Sequence, residues 1–269
     1  MNHHLAVAYS PAADATGALS QVIAALPVSL RPASDAGELV GIDGALGWSA
    51  AAADAITAGA RGLVIIDPVN EDITSLREKA DAAGVPVVID AVWTHSPAAS
   101  RSANAFGQAD DEHALLEVRA NVPIGSDLDR VLLGQLSLVR ALATPVVGMS
   151  VVRWNQHGYD VLATLDSGAR ASFAAVVTNA LPHSAHVRVL KATTAVELTL
   201  PSPTTAAPGK AVVSGPDGAT LLVTEFETPH RAAWRRVHHL VVAQLRSSDL
   251  DDFAADSAIA RAVRSGTRA

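Results

Sequence analysis

Two short segments of the sequence gather the side chains best suited to acid–base or binding chemistry. The first, Asp90 to His95, holds a carboxylate, an indole and an imidazole. The second, Arg153 to Tyr159, holds an arginine, a tryptophan, two side-chain amides, a histidine and a tyrosine. Histidine titrates near neutral pH, so it is the natural group to exchange a proton in such a cluster. The candidate catalytic residues are therefore Asp90, His95 and Tyr159.

Each segment also has a structural interpretation. In the first, Trp93 would pack at a domain junction and His95 would lie on the surface. The second fits a protein interface, a ligand pocket or an ordinary loop, and Trp and Arg are both enriched at interfaces. His183 and His186 have the spacing of metal ligands on a helix, but they follow Pro182 in strand-rich sequence without a neighbouring carboxylate. We therefore expect no metal site.

Composition and missing motifs exclude several classes of protein. The sequence has no cysteine, which excludes disulfides and thiolate chemistry. It also lacks the motifs of serine hydrolases, phosphate-binding loops, zinc proteases and EF-hands. A net charge of -7 disfavours nucleic-acid binding. Because no signal peptide and no membrane-span-length apolar run are visible, we expect a cytoplasmic protein without membrane contact.

The first part of the chain alternates apolar runs with alanine-rich amphipathic stretches. The runs Leu5 to Ser10, Gly62 to Ile66 and Val85 to Ile89 predict an α/β, Rossmann-like parallel sheet with helices on both faces. Ligands of such sheets bind beyond the carboxyl ends of the strands. At those ends the sequence places Tyr9 and Ser10, Asp67 and Pro68, and Asp90 to His95.

The second part of the chain changes in pattern. Residues 96–112 are rich in Ala, Ser and Asp and are predicted to be a loop or linker. We therefore divide the chain into a Rossmann-like domain, 1–112, and a C-terminal domain, 113–269. After a helix at Leu128 to Ala143, strand-like segments joined by turns such as Asp166 to Gly168 predict a mainly antiparallel sheet with helices on one face.

This order of elements resembles the Gfo/Idh/MocA family of NAD(P)-dependent oxidoreductases, which act on sugars, cyclitols and related compounds. Gly62 to Pro68 resembles the family's strand and Thr-Pro or Asn-Pro turn near the nicotinamide. Ala82 to Asp90 resembles the step before its Glu-Lys-Pro motif, and Leu132 to Arg140 its helix with a catalytic His and Asp. Tyr159 to Phe173 resembles the first hairpin of its C-terminal sheet. The resemblance covers most of the chain and implies the two-domain fold described above.

The cofactor positions that the resemblance implies are altered. Where the family has the glycines of G-x-G-x-x-G, this sequence has Tyr9, Pro11 and Asp14. The candidate cofactor-binding residues that the resemblance implies are therefore a degenerate loop of Tyr9, Ser10, Pro11 and Asp14, with Asp67 and Pro68. Pro11 removes an amide donor for the pyrophosphate. The charge of Asp14 at ~4 Å from a phosphate would cost about 4 kcal/mol. That cost corresponds to a roughly thousandfold loss of affinity.

The catalytic positions are altered as well. The Glu-Lys-Pro motif aligns with Asp90 to Val92, which removes the lysine. The helical His and Asp align with Gly134 and Ser137, or the His with Gln135 after a shift of one residue. Without the Lys and the His, no evident group remains to exchange a proton with a substrate hydroxyl.

Two hypotheses follow from these departures. The first is a non-catalytic homologue that binds no cofactor and serves as a binding, regulatory or companion subunit. It would form a homo-oligomer through its C-terminal sheet, or pair with a catalytic paralogue. The second is an active NAD(P)-dependent oxidoreductase of a sugar or cyclitol with a divergent cofactor loop, in which Asp90, His95 or Tyr159 supplies acid–base chemistry. The simultaneous loss of the glycines, the lysine and the histidine favours the first.

Overall fold

A computed structural model describes residues 4–33 and 36–266. They form two compact units, each built from two segments of the chain. Unit 1 contains the described residues up to Val92 and the segment Pro229–Ala255. Unit 2 contains Trp93–Thr228 and the described residues from Asp256 onward.

The helices and strands follow the chain in an α/β order and then a β-rich order. The strands are β1 Leu5–Tyr9, β2 Leu30–Pro32, β3 Leu39–Asp43, β4 Gly62–Ile66, β5 Val87–Asp90, β6 Leu115–Val122, β7 Val146–Asn155, β8 Gly158–Leu165, β9 Arg170–Val177, β10 Ser184–Leu190, β11 Ala195–Leu200, β12 Lys210–Gly215 and β13 Gly218–Leu221. The helices are α1 Pro11–Gly17, α2 Leu19–Ala24, α3 Trp48–Thr57, α4 Thr74–Ala83, α5 Pro97–Ala109, α6 Leu128–Leu142, α7 Pro229–Val242 and α8 Asp249–Arg264. None of the helices in these described segments is long and apolar enough to cross a bilayer.

Unit 1 contains a five-stranded sheet in the order β2-β1-β3-β4-β5. All of its strand pairs are parallel. Every residue of β4 and β5 is buried, as expected when helices cover both faces of a parallel sheet. Helix α7 packs on these two strands, and it leaves no room for a side chain at Gly62, where a Cβ would lie 2.7 Å from Val241.

Unit 2 contains an eight-stranded sheet in the order β13-β12-β11-β10-β6-β9-β8-β7. Neighbouring strands are antiparallel except for β6 and β9, which are parallel. Buried and more exposed residues alternate along β6, which is the pattern of a sheet covered on one face. Helices α5 and α6 pack on that buried face. The predicted combination of a parallel sheet and a mainly antiparallel sheet is confirmed.

The predicted linker at residues 96–112 is wrong, because most of it is helix α5. Pro97 provides a favourable first helical residue, and the helix buries Ala98, Ser102 and Phe106 along one side. Small residues in this stripe concealed the helical period from the sequence analysis.

The units also differ from the predicted division at 112/113. Helix α5 packs on β10, β11 and β12 and so belongs to unit 2. Helix α7 lies far along the chain but covers β4 and β5 in unit 1. The predicted boundary was drawn at a change in composition, whereas the units follow the burial of apolar helix faces.

Two further differences lie near the start of the chain. Strand β3 was not predicted, although it lies in the centre of the parallel sheet. The sequence from Ala12 to Ala25 has the pattern of one amphipathic helix, but the structure breaks it into α1 and α2 at Ala18, which has a left-handed φ of 50°.

Candidate functional site

A buried ion pair lies at the carboxyl end of β5. Asp90, the last residue of β5, is fully buried, and His230, the second residue of α7, is 6% exposed. His230 Nδ1 lies 2.6 Å from Asp90 Oδ2. The other carboxylate oxygen of Asp90, Oδ1, is buried without a hydrogen-bond partner. The candidate Asp90 is therefore joined to a histidine that the sequence analysis missed.

The charges around His230 favour its protonated form. Burial by itself lowers the pKa of this imidazole, but the charge and hydrogen bond of Asp90, together with the charge of Asp67, raise the pKa above its ordinary value of 6.5. An imidazole held in this way is suited to bind and release a proton near neutral pH. The pair thus supplies an acid–base group.

The loops that follow β4 and β5 have an unusual backbone. Asp67 and Val92 have left-handed φ angles of 46° and 32°, which are rare outside glycine and rarer still for a β-branched residue. The amide of Asp67 donates to the carbonyl oxygen of Asp90 over 3.0 Å and ties the two loops together. The candidate cofactor residues Asp67 and Pro68 thus lie beside the buried pair, and Pro68 is itself buried.

A glycine-containing loop follows β3 at the switch point of the sheet. The chain passes from β1 to β2 on one side and then to β3 on the other, so the crevice expected for a ligand lies between the carboxyl ends of β1 and β3. There Gly44 and Gly47 lead into α3. Gly44 must lack a side chain, because a Cβ would lie 2.3 Å from the Cα of Pro68. The spacing of these glycines was the available sequence signal, and it was missed together with β3.

A side chain of the same unit binds amides at the start of α3, those of Gly47 just before the helix and of Ser49, its second residue. The carboxylate of Glu71 accepts hydrogen bonds from the amides of Gly47, at 2.8 Å, and Ser49, at 2.5 Å. Nucleotide-binding α/β proteins hold a phosphate at such a helix N-terminus. In this chain a carboxylate uses the same donors.

The degenerate loop after β1 is likewise occupied by contacts within the chain. Tyr9 ends β1, and the hydroxyl of Ser10 caps α1 by accepting a hydrogen bond from an amide of its first turn. Pro11 is the first residue of α1 and has no amide hydrogen. The carboxylate of Asp14 accepts from the amide of Ser20 in α2 over 2.7 Å.

The Asp90–His95 segment is divided between the units. Asp90 belongs to unit 1, whereas Trp93 and His95 belong to unit 2. Trp93 is buried, its Nε1 donates to the carbonyl of Pro201 over 3.0 Å, and its ring meets His183 edge-on. His95 is half-buried, not on the surface as the structural interpretation expected. Trp93 is therefore a core residue of unit 2.

Tyr159 lies in the core of unit 2. It is fully buried, and its hydroxyl donates to Oε1 of Gln135 over 2.6 Å. The side-chain nitrogen of Gln135 in turn donates to the carbonyl of Ala174 over 3.0 Å. Burial, together with the charge of Asp129, raises the pKa of Tyr159 well above its ordinary value of 10. The Tyr159 hydroxyl is thus a protonated donor within a satisfied hydrogen-bond chain.

The Arg153–Tyr159 segment borders an open cleft of about 750 Å³ in unit 2. The turn Trp154–His157 forms one wall, and Ile124, Asp129 and Arg264 line others. Arg264 lies 4.6 Å from the ring centroid of Trp154, and its Nε is 3.1 Å from Oδ1 of Asp129. Arg264 therefore covers one face of Trp154, while Tyr159 stacks on the indole at 4.5 Å.

His183 and His186 do not form a metal centre in this structure. The imidazole of His183 packs on Trp93, and His186 lies in β10. Across residues 4–33 and 36–266, no three potential metal ligands lie together.

Comparison with known proteins finds relatives in fold only. No family model and no curated protein matches the chain. Among solved structures, UDP-N-acetylglucosamine 3-dehydrogenase GnnA from Acidithiobacillus ferrooxidans matches with a TM-score of 0.73 and 16% identity, over 98% of each chain. A lysine-to-alanine variant of KijD10, a 3-ketoreductase from Actinomadura kijaniata in complex with TDP-benzene and NADP, matches with a TM-score of 0.72 and 14% identity, over 99% of this chain and 98% of that one.

The chain has the fold of the Gfo/Idh/MocA oxidoreductases. The resemblance noted in the sequence is thereby confirmed at the level of the fold. Fold does not determine activity, so the function must be argued from the residues at the carboxyl edge of the parallel sheet.

Proposed function

We propose that this chain is a non-catalytic relative of the NAD(P)-dependent sugar oxidoreductases and serves as a binding, regulatory or companion subunit. The carrying observation is the carboxylate of Glu71 on the first amides of α3. A phosphate bound at the start of α3, on the β3 side of the switch-point crevice, would have to displace the carboxylate of Glu71.

Two further observations support the proposal. Pro11 and the Ser10 cap leave the short helix α1 with few free donors. The three neighbouring strands β3, β4 and β5 end in, or are followed by, Asp43, Asp67 and Asp90, so negative charge gathers where phosphates would bind. The residues of this crevice do not fit a dinucleotide in its usual binding mode.

Calorimetric titration of the full chain with NAD⁺, NADH, NADP⁺ and NADPH tests the proposal. We expect no heat of binding up to millimolar nucleotide. A dissociation constant at or below tens of micromolar would overturn the proposal.

A pair of variants tests the role of Glu71. Glu71→Ala frees two amides and removes a negative charge, so we expect it to bind inorganic phosphate or NADP⁺ more tightly than the parent chain does. Glu78→Ala, which removes an exposed carboxylate from α4, is the matched control. Equal binding by both variants would show that Glu71 does not close the site.

The open face of the unit 2 sheet is the proposed surface for self-association or for a catalytic paralogue. Helices α5 and α6 pack on its other face. The open face presents Leu115, Leu162 and Val176, which are between 42% and 54% exposed. Leu115 and Leu162 border a shallow depression of about 450 Å³. Exposed apolar side chains beside a common depression, as Leu115 and Leu162 are, occur at protein–protein contacts.

Sedimentation velocity tests the surface. We expect a dimer or larger oligomer whose interface buries roughly 1,200–2,000 Å². Leu162→Arg would dissociate it, whereas Leu221→Arg, at an exposed residue of the edge strand β13, would not. If the parent chain stays monomeric, co-purification with a catalytic paralogue is the remaining test of this surface.

A second candidate function is an active NAD(P)-dependent oxidoreductase of a sugar or cyclitol. The NADP complex of the similar ketoreductase and the Asp90–His230 pair support it. In such an enzyme His230 would exchange the proton of a substrate hydroxyl, with Asp90 orienting the imidazole. Hydride transfer to NADP⁺ in a screen of sugars and cyclitols would decide for this candidate, and its loss in His230→Asn would place the histidine in the reaction.

A further inference from the structure

Helix α7 joins unit 1 across a long stretch of chain. Its second residue, His230, lies 140 residues after Asp90 in the chain, yet it is paired with that carboxylate. Further along the helix, Val237 and Val241 pack closely over Gly62 in β4. The helix is thus fixed by apolar contacts along its length and by one ion pair at its start.

The buried pair is charged and incompletely satisfied. Asp90 Oδ2 faces His230 Nδ1, while Asp90 Oδ1 has no partner. A buried carboxylate is costly unless it is paired with a positive charge or fully hydrogen-bonded. The attraction between the imidazole and the carboxylate therefore depends on whether the imidazole carries its proton.

The other charges near His230 come from few elements. Strand β4, helix α2 and, apart from Asp90, strand β5 contain no titratable side chain. Asp67, in the loop after β4, adds negative charge, whereas the N-terminus of α7 adds a partial positive charge.

Two of the arginines of α7 contact other groups, and the third is exposed. Arg236 is bound to Asp249, Arg231 donates to the carbonyl of Ala25, and Arg235 is exposed.

We propose that His230 and Asp90 form a proton-operated latch that fastens α7 to the parallel sheet of unit 1. When His230 releases its proton to solvent, the imidazolium–carboxylate pair becomes a neutral imidazole beside a buried carboxylate. The latch then loses its ionic attraction, and the start of α7 detaches more often. This inference is independent of the proposed function, because it concerns the attachment of a helix and not a ligand.

The direction of the pH effect follows from the contacts. The pKa of His230 is raised in the folded chain above the ordinary value of 6.5. The pair therefore contributes its full stabilisation below about 6.5, the value expected in the unfolded chain. That contribution is lost as the pH rises through the higher pKa that His230 has in the folded chain.

Two measurements on the full chain test the latch. NMR titration of the histidine rings should give His230 a pKa above 6.5. Hydrogen exchange, corrected for the intrinsic effect of pH, should show the first turns of α7 losing protection as the pH rises through that value, while β4 keeps its protection. A His230 pKa at or below 6.5, or α7 protection that does not change with pH, would overturn the proposal.

Variants separate a proton switch from simple packing. His230→Asn keeps a donor near the position of Nδ1 but cannot be charged, so α7 protection should become independent of pH. His239→Asn, at an exposed histidine of the same helix, should retain the pH dependence of the parent chain. If His230→Asn does not fold, Asp90→Asn provides the second test, since it should lower the His230 pKa. An unchanged His230 pKa in Asp90→Asn would also contradict the latch.

Discussion

The Asp90–His230 pair of unit 1 and the Gln135–Tyr159 pair of unit 2 are both buried polar contacts with a 2.6 Å separation. In unit 2 the chain of donors and acceptors is neutral and continues to a carbonyl oxygen. In unit 1 the contact joins two titratable groups and leaves one carboxylate oxygen without a partner. Two pairs with the same separation therefore differ in effect. The neutral pair stabilises the core of unit 2 at any ordinary pH, whereas the stability of the charged pair depends on protonation.

The largest expected effect comes from breaking the charged pair. His230→Ala leaves the carboxylate of Asp90 buried without its cation, and such changes cost about 3–5 kcal/mol. We expect a loss of this size in the free energy of unfolding of unit 1, measured by urea titration at pH 6. His239→Ala on the exposed side of α7 should change it little, and equal losses in the two variants would mean that the ion pair has no special role.

A smaller effect is expected from the neutral pair. Tyr159→Phe keeps the ring on Trp154 but leaves the Gln135 oxygen without its donor, which costs about 1–3 kcal/mol. Urea unfolding of unit 2 measures this loss, and Tyr9→Phe, at the half-buried tyrosine that ends β1, is the matched control. If Tyr159→Phe lost more free energy of unfolding than His230→Ala, the neutral pair and not the charged pair would contribute more to stability.

The two pairs should also differ in their response to alkali. Because the pKa of Tyr159 is raised well above 10 by burial, its hydroxyl remains protonated in the folded chain where an exposed tyrosine ionises. The protonated hydroxyl of Tyr159 therefore contributes its full stabilisation below about pH 10, and this contribution is lost only as the pH rises above that value. Tyrosinate absorbance should show one delayed transition that disappears in Tyr159→Phe. Ionisation of Tyr159 near pH 10 with unit 2 still folded would contradict this burial.

The smallest effect is expected at the edge of the unit 2 cleft. Arg264 is about half exposed and combines a contact over Trp154 with an ion pair to Asp129. Exposed interactions of these kinds are worth about 0.5–1 kcal/mol. Arg264→Ala should lower the free energy of unfolding by about that amount, and Arg264→Lys should restore only part of it, because a lysine lacks the planar group that covers the indole. If Arg264→Lys restored the full free energy of unfolding, the effect of Arg264 would come from its charge alone.

The sequence predicted the elements whose pattern is local. The apolar runs of β4 and β5 and the hairpins of the second sheet follow from short periodicities. Strand β3 was missed because Gly41 interrupts a run of only five residues, and α5 because alanine and serine fill its buried side. Asp90 was found because it ends an apolar strand.

His230 was not found, because nothing local marks its partner. The pair exists only after the chain has folded over a separation of 140 residues. The same reason explains why the capping of α3 by Glu71, 22 residues beyond Ser49, was not foreseen. Contacts of this kind depend on strand order, which sequence periodicity does not specify.

The two-segment construction of unit 1 has a consequence for synthesis on the ribosome. Strands β4 and β5 are made early, but the helix that covers them, α7, is among the last elements to be translated. Until then an apolar side of the parallel sheet has no permanent cover, and nascent chains with such surfaces are prone to aggregate. The nascent chain should therefore depend on chaperones throughout the translation of unit 2 and become independent of them once residues 229–242 have left the exit tunnel.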